Sequence, residues 1–313
     1  MKLPQPFVQL PFQFDAKQLR AELAHISETA WMPHPNSIPG NSAVALISIS
    51  GGNNDDFDGP KATTPHLSQC HYMQQVMASF DEVLSRSRLM RLAPGAEVKL
   101  HVDFNYHWYS RIRIHIPITT NPSVTFVCGN EQVHMAAGTA WIFDAWRRHN
   151  VINSGSESRV HLVIDTPGSA KFWDLVEQCI AGKVAPSSIQ VPYETQHSPD
   201  LKLEKFARST VMAPGECDAL VEDLIADFTA NPSNLPGLVL EYTRLLRGFC
   251  QNWRTLWAMH GDSLDAVPHY QRLIEQTRSQ LRPNRRALTT ASNDIGVNPI
   301  FVQRVLNAAI YTP

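Results

Sequence analysis

The chain has few cysteines and no C-x-x-C pair: Cys70, Cys128, Cys179, Cys217 and Cys250 are odd in number and widely scattered. That excludes a structural zinc pattern and a disulfide framework as organising devices, and it predicts a reducing, cytoplasmic setting. No apolar run approaches the length of a membrane span, and Met1-Lys2-Leu3-Pro4-Gln5-Pro6 lacks the apolar core of a signal peptide. Charge of either sign is not in excess. A formal net charge of -2 over 313 residues gives no reason to expect nucleic acid or an anionic membrane as partner. Internal repeats and low-complexity tracts are also missing. With 43% hydrophobic and 18% charged residues, the composition is that of a soluble globular protein, long enough for one large domain or two ordinary ones.

Patterning then divides the chain. After an extended entry at Phe7-Val8-Gln9-Leu10, residues 16 to 29 have helix-forming composition, with Asp15 as N-cap. A buried strand at 44–50 ends in the polar stretch Gly51 to Pro60, whose acidic residues lack calcium-loop spacing and read as a solvated loop. An amphipathic helix over 71–87 precedes closely spaced strands at 88–92, 98–103, 110–118, 124–128, 132–136, 140–143 and 159–165. Short strands with turns at Pro94-Gly95, Asn121-Pro122, Gly129-Asn130 and Gly138 predict an antiparallel sandwich or barrel rather than βαβ units. From Ala170 the pattern turns helical. The expected division is a β half over 1–185 and a helical C-terminal half over 186–313.

The residues that carry chemistry lie in the β half. In Val98-Lys99-Leu100-His101-Val102-Asp103, period-two alternation points His101 and Asp103 the same way. A second histidine, His149, follows Trp141-Ile142-Phe143-Asp144-Ala145-Trp146-Arg147-Arg148, and Arg159 comes ten positions later on another alternating strand. Two imidazoles and one carboxylate on a β scaffold can occupy one face of an octahedral Fe(II) and leave the other face open. An arginine adds a planar fork for a carboxylate. A lone His-x-Asp is a weak signal. The alternatives are a surface pair at His101 and Asp103 with a satisfied core histidine at His149.

The segments Arg88-Leu89-Met90-Arg91-Leu92-Ala93-Pro94-Gly95, His101-Val102-Asp103, Arg113-Ile114-His115-Ile116-Pro117, Phe143 to His149 and Arg159-Val160-His161-Leu162 together resemble the aspartyl/asparaginyl β-hydroxylase family. Their order is also similar to that of the related bacterial proline cis-4-hydroxylases. The resemblance covers about residues 44 to 170. It implies an α+β fold: a double-stranded β-helix (jelly-roll, cupin-like) core with flanking helices and a helical C-terminal domain. It implies an Fe(II)- and 2-oxoglutarate-dependent dioxygenase that uses O2 to hydroxylate an unactivated C–H of an amino acid, free or as Asp, Asn or Pro in a peptide, with succinate and CO2 as products. The animal aspartyl hydroxylases lack the carboxylate at the position Asp103 fills, so this chain is more like the bacterial enzymes.

On that resemblance, His101, Asp103 and His149 are the expected metal and catalytic residues, and Arg159 holds the distal carboxylate of 2-oxoglutarate. Arg113 and His115 are expected at the cosubstrate or at the carboxylate of the substrate, and Arg111, on the same strand face, at a substrate carboxylate, with a salt-bridged barrel lining as the alternative. The aromatic run Asn105-Tyr106-His107-Trp108-Tyr109 is either a substrate wall through Trp108 or packing against the helical half, and Trp146 and Arg147 are candidates for a lid or carboxylate clamp. The expected partner is a small molecule or peptide bearing a carboxylate, with a homodimer through the helical half as an option. Arg244, Arg247 and Arg254 near Trp253 and Trp257 read as a partner-binding face or, more simply, as an amphipathic helix packing on the barrel or on a dimer partner. The competing reading of the whole is a cupin-like binding or scaffold protein with a partner-binding helical half and no turnover.

Overall fold

The computed structural model describes residues 2–33, 38–206, 208–281 and 288–311. The alternating segments form strands β1 (Phe7–Phe14), β2 (Met32–Pro33), β3 (Asn41–Ile49), β4 (Lys61–Thr63), β5 (Ser87–Leu92), β6 (Glu97–His101), β7 (Ile112–Thr119), β8 (Val124–Cys128), β9 (Glu131–Val133), β10 (Thr139–Phe143), β11 (His149–Asn153), β12 (Arg159–Thr166) and β13 (Ile189–Val191). Between and after them lie α1 (Ala16–Leu23), α2 (Pro65–Ser68), α3 (His71–Ala78), α4 (Tyr106–Ser110), α5 (Ala170–Ile180), α6 (Pro214–Thr229), α7 (Pro236–His260), α8 (Val267–Gln280) and α9 (Val297–Phe301). Asp15 caps α1 as expected, accepting from the amides of Lys17 and Gln18. The tight turn at Pro94-Gly95 places Gly95 at φ 68°, a conformation that a side chain would strain.

The larger sheet runs β13-β1-β10-β7-β12-β5-β3-β2, with β4 also on β3, and the smaller runs β6-β11-β8-β9. Apart from the parallel pair β1 and β13, the pairings are antiparallel. Strands distant in sequence are neighbours, β5 and β7 flanking β12 while β6 and β8 flank β11, which is the winding of a double-stranded β-helix. Leu92 and Phe143 from the larger sheet meet Val124, Phe126, Cys128 and Val151 from the smaller in one apolar cluster between the sheets. The other face of the larger sheet, through Leu10, Ile114, Ile116, Leu162 and Ile164, packs in a second cluster with Leu19 of α1, Val76 of α3 and Val176 of α5. This is the α+β jelly-roll core with flanking helices.

The chain forms two compact units, Met1–Val102 with Ser110–Phe206, and Asp103–Tyr109 with Ala207–Pro313. The boundary expected at 185 therefore moves to the end of the 186–206 stretch. The reason is pairing: β13 adds to β1, and the Lys61 amide donates to the Glu204 carbonyl while the Leu84 amide donates to that of Lys202. In the second unit Trp253, Tyr270, Phe228 and Phe301 are fully buried, and the Trp253 indole donates to the Met212 carbonyl. Arg247 pairs with Glu222 and Arg254 with Asp218 on the surface of α6 and α7. The run 103–109 is explained in the same way. Tyr106 hydroxyl bonds Glu216, Arg208 stacks on Tyr106, and the buried Arg304 lies over Tyr109. Among the described residues no helix is long and apolar enough to cross a membrane.

Candidate active site

His101 ends β6 and His149 begins β11, and the two are register partners. A regular ladder would next pair Val151 with Lys99. Val151 instead partners Val98, so Lys99 and Leu100 of β6 oppose Asn150 alone of β11, a β-bulge. Strict alternation sets Val98 and His101 on opposite faces; the bulge brings both to the face where β11 carries His149 and Val151. Leu100 is turned out instead, 55% exposed. The His101 and His149 ring centroids lie 4.2 Å apart. Each Nδ1 faces a backbone carbonyl, Lys99 at 2.7 Å for His101 and Arg147 at 2.9 Å for His149. A carbonyl accepts, which favours the tautomer with the proton on Nδ1 and makes Nε2 the candidate metal-binding nitrogen. One ligand atom from each of His101, Asp103 and His149 lies within 4.8 Å of the others. This donor set fits Fe(II).

The turn that delivers His149 is built by Asp144, whose carboxylate accepts from the Trp146 amide and from Arg147 Nε. Arg147 also donates to the carbonyls of Leu3 and Pro4, and Trp146 is buried beneath the Lys2 ammonium. Arg147 thus ties the entry segment to the turn, in place of the carboxylate clamp expected of it. Arg111 likewise bonds Glu204. Trp108 is buried with its edge against the His107 ring.

Farther in, β12 presents Arg159, His161, Val163 and Asp165 on one face, opposite Met90 and Arg88 of β5 and His115 and Arg113 of β7. Arg159 is buried and has no ion pair or hydrogen bond with a described residue; its guanidinium lies 4.8 Å from the Phe126 ring centre. Burial pushes its pKa down to about 9, so it remains a cation at neutral pH. His115 and His161 are pushed well below the ordinary imidazole value, first by burial and then by the neighbouring guanidiniums, and are neutral. Neither ring nitrogen of either residue has a hydrogen-bond partner among the described residues. Buried polar groups left in this state cost about 1–3 kcal/mol each, and such a cluster needs a polar ligand to explain it. A carboxylate fits: the guanidinium offers two parallel donors and each imidazole one more. Arg113 is already engaged, making a two-point ion pair with the fully buried Asp165 at 2.7 and 3.0 Å.

Three residues that the sequence left without a role also enter. Arg86 and Arg88 are buried beside β12 and both meet Asp55, from the loop between β3 and β4. The alternation Ser85-Arg86-Ser87-Arg88 carried a signal for the arginines; nothing in the sequence linked them to Asp55.

A model of the aspartyl/asparaginyl beta-hydroxylase family matches residues 15–167. L-proline cis-3-hydroxylase 1 from a Streptomyces species is 28% identical over 139 residues, 41% of this chain and 48% of that protein, so the chain spans about half the length of this curated relative. Among solved structures, a 2OG-Fe(II) oxygenase family oxidoreductase from Burkholderia pseudomallei is 14% identical with a TM-score of 0.35, over 49% of this chain and 78% of its own. A Pseudomonas putida prolyl-4-hydroxylase has the same identity and score, over 52% and 92%. Through residues 15–167, the chain is similar to the aspartyl/asparaginyl β-hydroxylase family.

Proposed function

We propose that the protein is an Fe(II)- and 2-oxoglutarate-dependent dioxygenase that hydroxylates an unactivated C–H of an amino acid, with succinate and CO2 as co-products, in the cytoplasm. The observation that carries this reading is one cluster of His101, Asp103 and His149 together with a buried, unanswered Arg159 in the same β-helix. A structural metal in a scaffold protein gives Arg159 no purpose. Bound iron and its cosubstrate supply the oxidising chemistry with O2. His101, Asp103 and His149 hold the metal, with the carboxylate offsetting part of its charge. Arg159 grips the distal carboxylate of 2-oxoglutarate through charge-assisted hydrogen bonds. His115, neutral because it is buried, adds a donor without adding charge. Phe126 and Phe143, packed against His115 and, for Phe143, against His149, keep water from the interior. Trp146 is offered as a wall toward a small substrate, and the relative's name makes L-proline a natural one to try.

The test is anaerobic titration with Fe(II) and then 2-oxoglutarate, following the weak visible charge-transfer band of a chelated 2-oxo acid. The band is expected in the parent protein, absent in His149→Ala, and to require far more cosubstrate in Arg159→Ala. A folded protein that binds Fe(II) and 2-oxoglutarate without producing the band sinks the proposal.

A further inference from the structure

Two arginines expected at a bound carboxylate are spoken for: Arg111 bonds Glu204 and Arg113 bonds Asp165. Arg86 and Arg88 have the better claim. Arg88 shares the interior face with Met90, and its Nη2 lies 3.9 Å from the Met90 sulfur, which Arg113 approaches from the other side at 4.0 Å. Both guanidiniums are nearly inaccessible, 3% and 5% exposed. Their shared partner is a single loop carboxylate. Asp55 Oδ1 accepts from Arg86 Nη1 at 2.9 Å and from Arg88 Nη1 at 2.5 Å, and its carbonyl also accepts from Arg86. Arg86 Nε lies 3.6 Å from Asp165, and neither it nor Arg88 Nε has a hydrogen-bond partner among the described residues.

Charge makes the same point. Arg86, Arg88, Arg113 and Arg159 stand against Asp55 and Asp165 on this side of the barrel. The cosubstrate's distal carboxylate answers Arg159 and still leaves one cation over. The socket also sits on regular structure where its plug does not. The arginines sit on or beside β5, while the Asp55 side chain is 35% exposed on an irregular segment. That segment is held by Lys61, which donates to the carbonyls of Asp56 and Phe57, and by the Phe57 ring against Arg86. Exchanging one carboxylate for another avoids ever leaving two buried cations unpaired, the step that would cost most.

Building on the amino-acid hydroxylase reading above, we infer that Arg86 and Arg88 form the socket for the substrate's carboxylate and that Asp55 occupies it until the substrate arrives. The ligand class is a free α-amino acid entering with its carboxylate foremost. Asp55 is then a built-in competitor, so its charge opposes substrate binding.

The experiment uses the full chain loaded anaerobically with Fe(II) and 2-oxoglutarate. The twenty standard L-amino acids are titrated in while the visible band is followed, and each one that perturbs it is repeated as its carboxamide. An amino acid should shift the band and its amide should not. Asp55→Asn, isosteric and still an acceptor, should bind that amino acid roughly tenfold more tightly. Arg88→Met should lose the shift while keeping the band, with Arg88→Lys between the two as the better-tolerated variant. Weaker binding in Asp55→Asn, equal binding of the amide, or an intact band that no free amino acid perturbs in parent or variant would each overturn the socket. Absence of the band in the parent protein is a different failure, that of the hydroxylase reading itself.

Discussion

A buried guanidinium with no counter-ion among the described residues, as at Arg159, is a cost to the fold. Replacing buried charged groups with apolar ones is neutral or stabilising, by up to about 4 kcal/mol. Arg159→Leu is therefore expected to raise the unfolding free energy of the metal-free protein while weakening 2-oxoglutarate binding about a hundredfold, the worth of one or two charge-assisted hydrogen bonds. Urea denaturation and the band titration measure the two effects separately. Loss of both stability and binding would mean that Arg159 is a packing residue. The neutral histidines give a pH signature. Unfolded, His115 and His161 take up protons below pH about 6.5. Folded, they stay neutral because their pKa values are pushed well down. The unfolded state then binds more protons, so their contribution is complete above pH about 6.5 and declines as pH falls toward the folded values, by up to about 1.4 kcal/mol per pH unit for each histidine. His161→Gln should remove about half of that slope in denaturant titrations run from neutral pH downward. An unchanged slope would show that His161 is protonated in the fold.

At the scale of elements, strands were easier to read from the sequence than helices. The apolar alternation of residues 112–118, 124–128 and 159–165 is a local property, and β7, β8 and β12 lie where it puts them. The helix expected over 71–87 stops at Ala78, because Asp81 takes positive φ and Ser87 starts β5. β11, the strand that opens with the distal histidine, is only weakly marked in the sequence. His149-Asn150-Val151-Ile152-Asn153 becomes a strand through its pairing with β6 and β8, a long-range cause that no window of sequence contains. The β6 bulge is invisible for the same reason, and so is the tie of Asp55 to Arg86 and Arg88. One helix start depends on such a distant partner. α3 has no side-chain cap of its own; Glu22 of α1 instead accepts from the Tyr72 amide at 2.6 Å and the Met73 amide at 2.9 Å. Glu22→Ala strands two buried N–H groups and should cost about 1–3 kcal/mol in urea melts. A cost near zero would mean that water reaches that helix end.

For the whole molecule, the sheets carry the site's chemistry while α6 to α9 form a core of their own. Function then registers in stability by mass action, since a ligand that binds only the folded state adds RT ln(1 + [L]/Kd) to its unfolding free energy, about 2.7 kcal/mol at a hundredfold excess over Kd. In a folding unit of about 200 residues that corresponds to a rise of roughly 5–10 °C in Tm. Calorimetry of the full chain should show a first increment with Fe(II) under argon and a second with 2-oxoglutarate, both reversed by a chelator, since the cosubstrate needs the metal for part of its grip. In Arg159→Leu the metal increment should survive, because His101, Asp103 and His149 are untouched, and the cosubstrate increment should shrink toward zero. If the second increment persists at full size in that variant, the distal carboxylate lies elsewhere. Arg86 and Arg88, the other guanidiniums of the interior with a replaceable partner, then become its binding site instead of the substrate's.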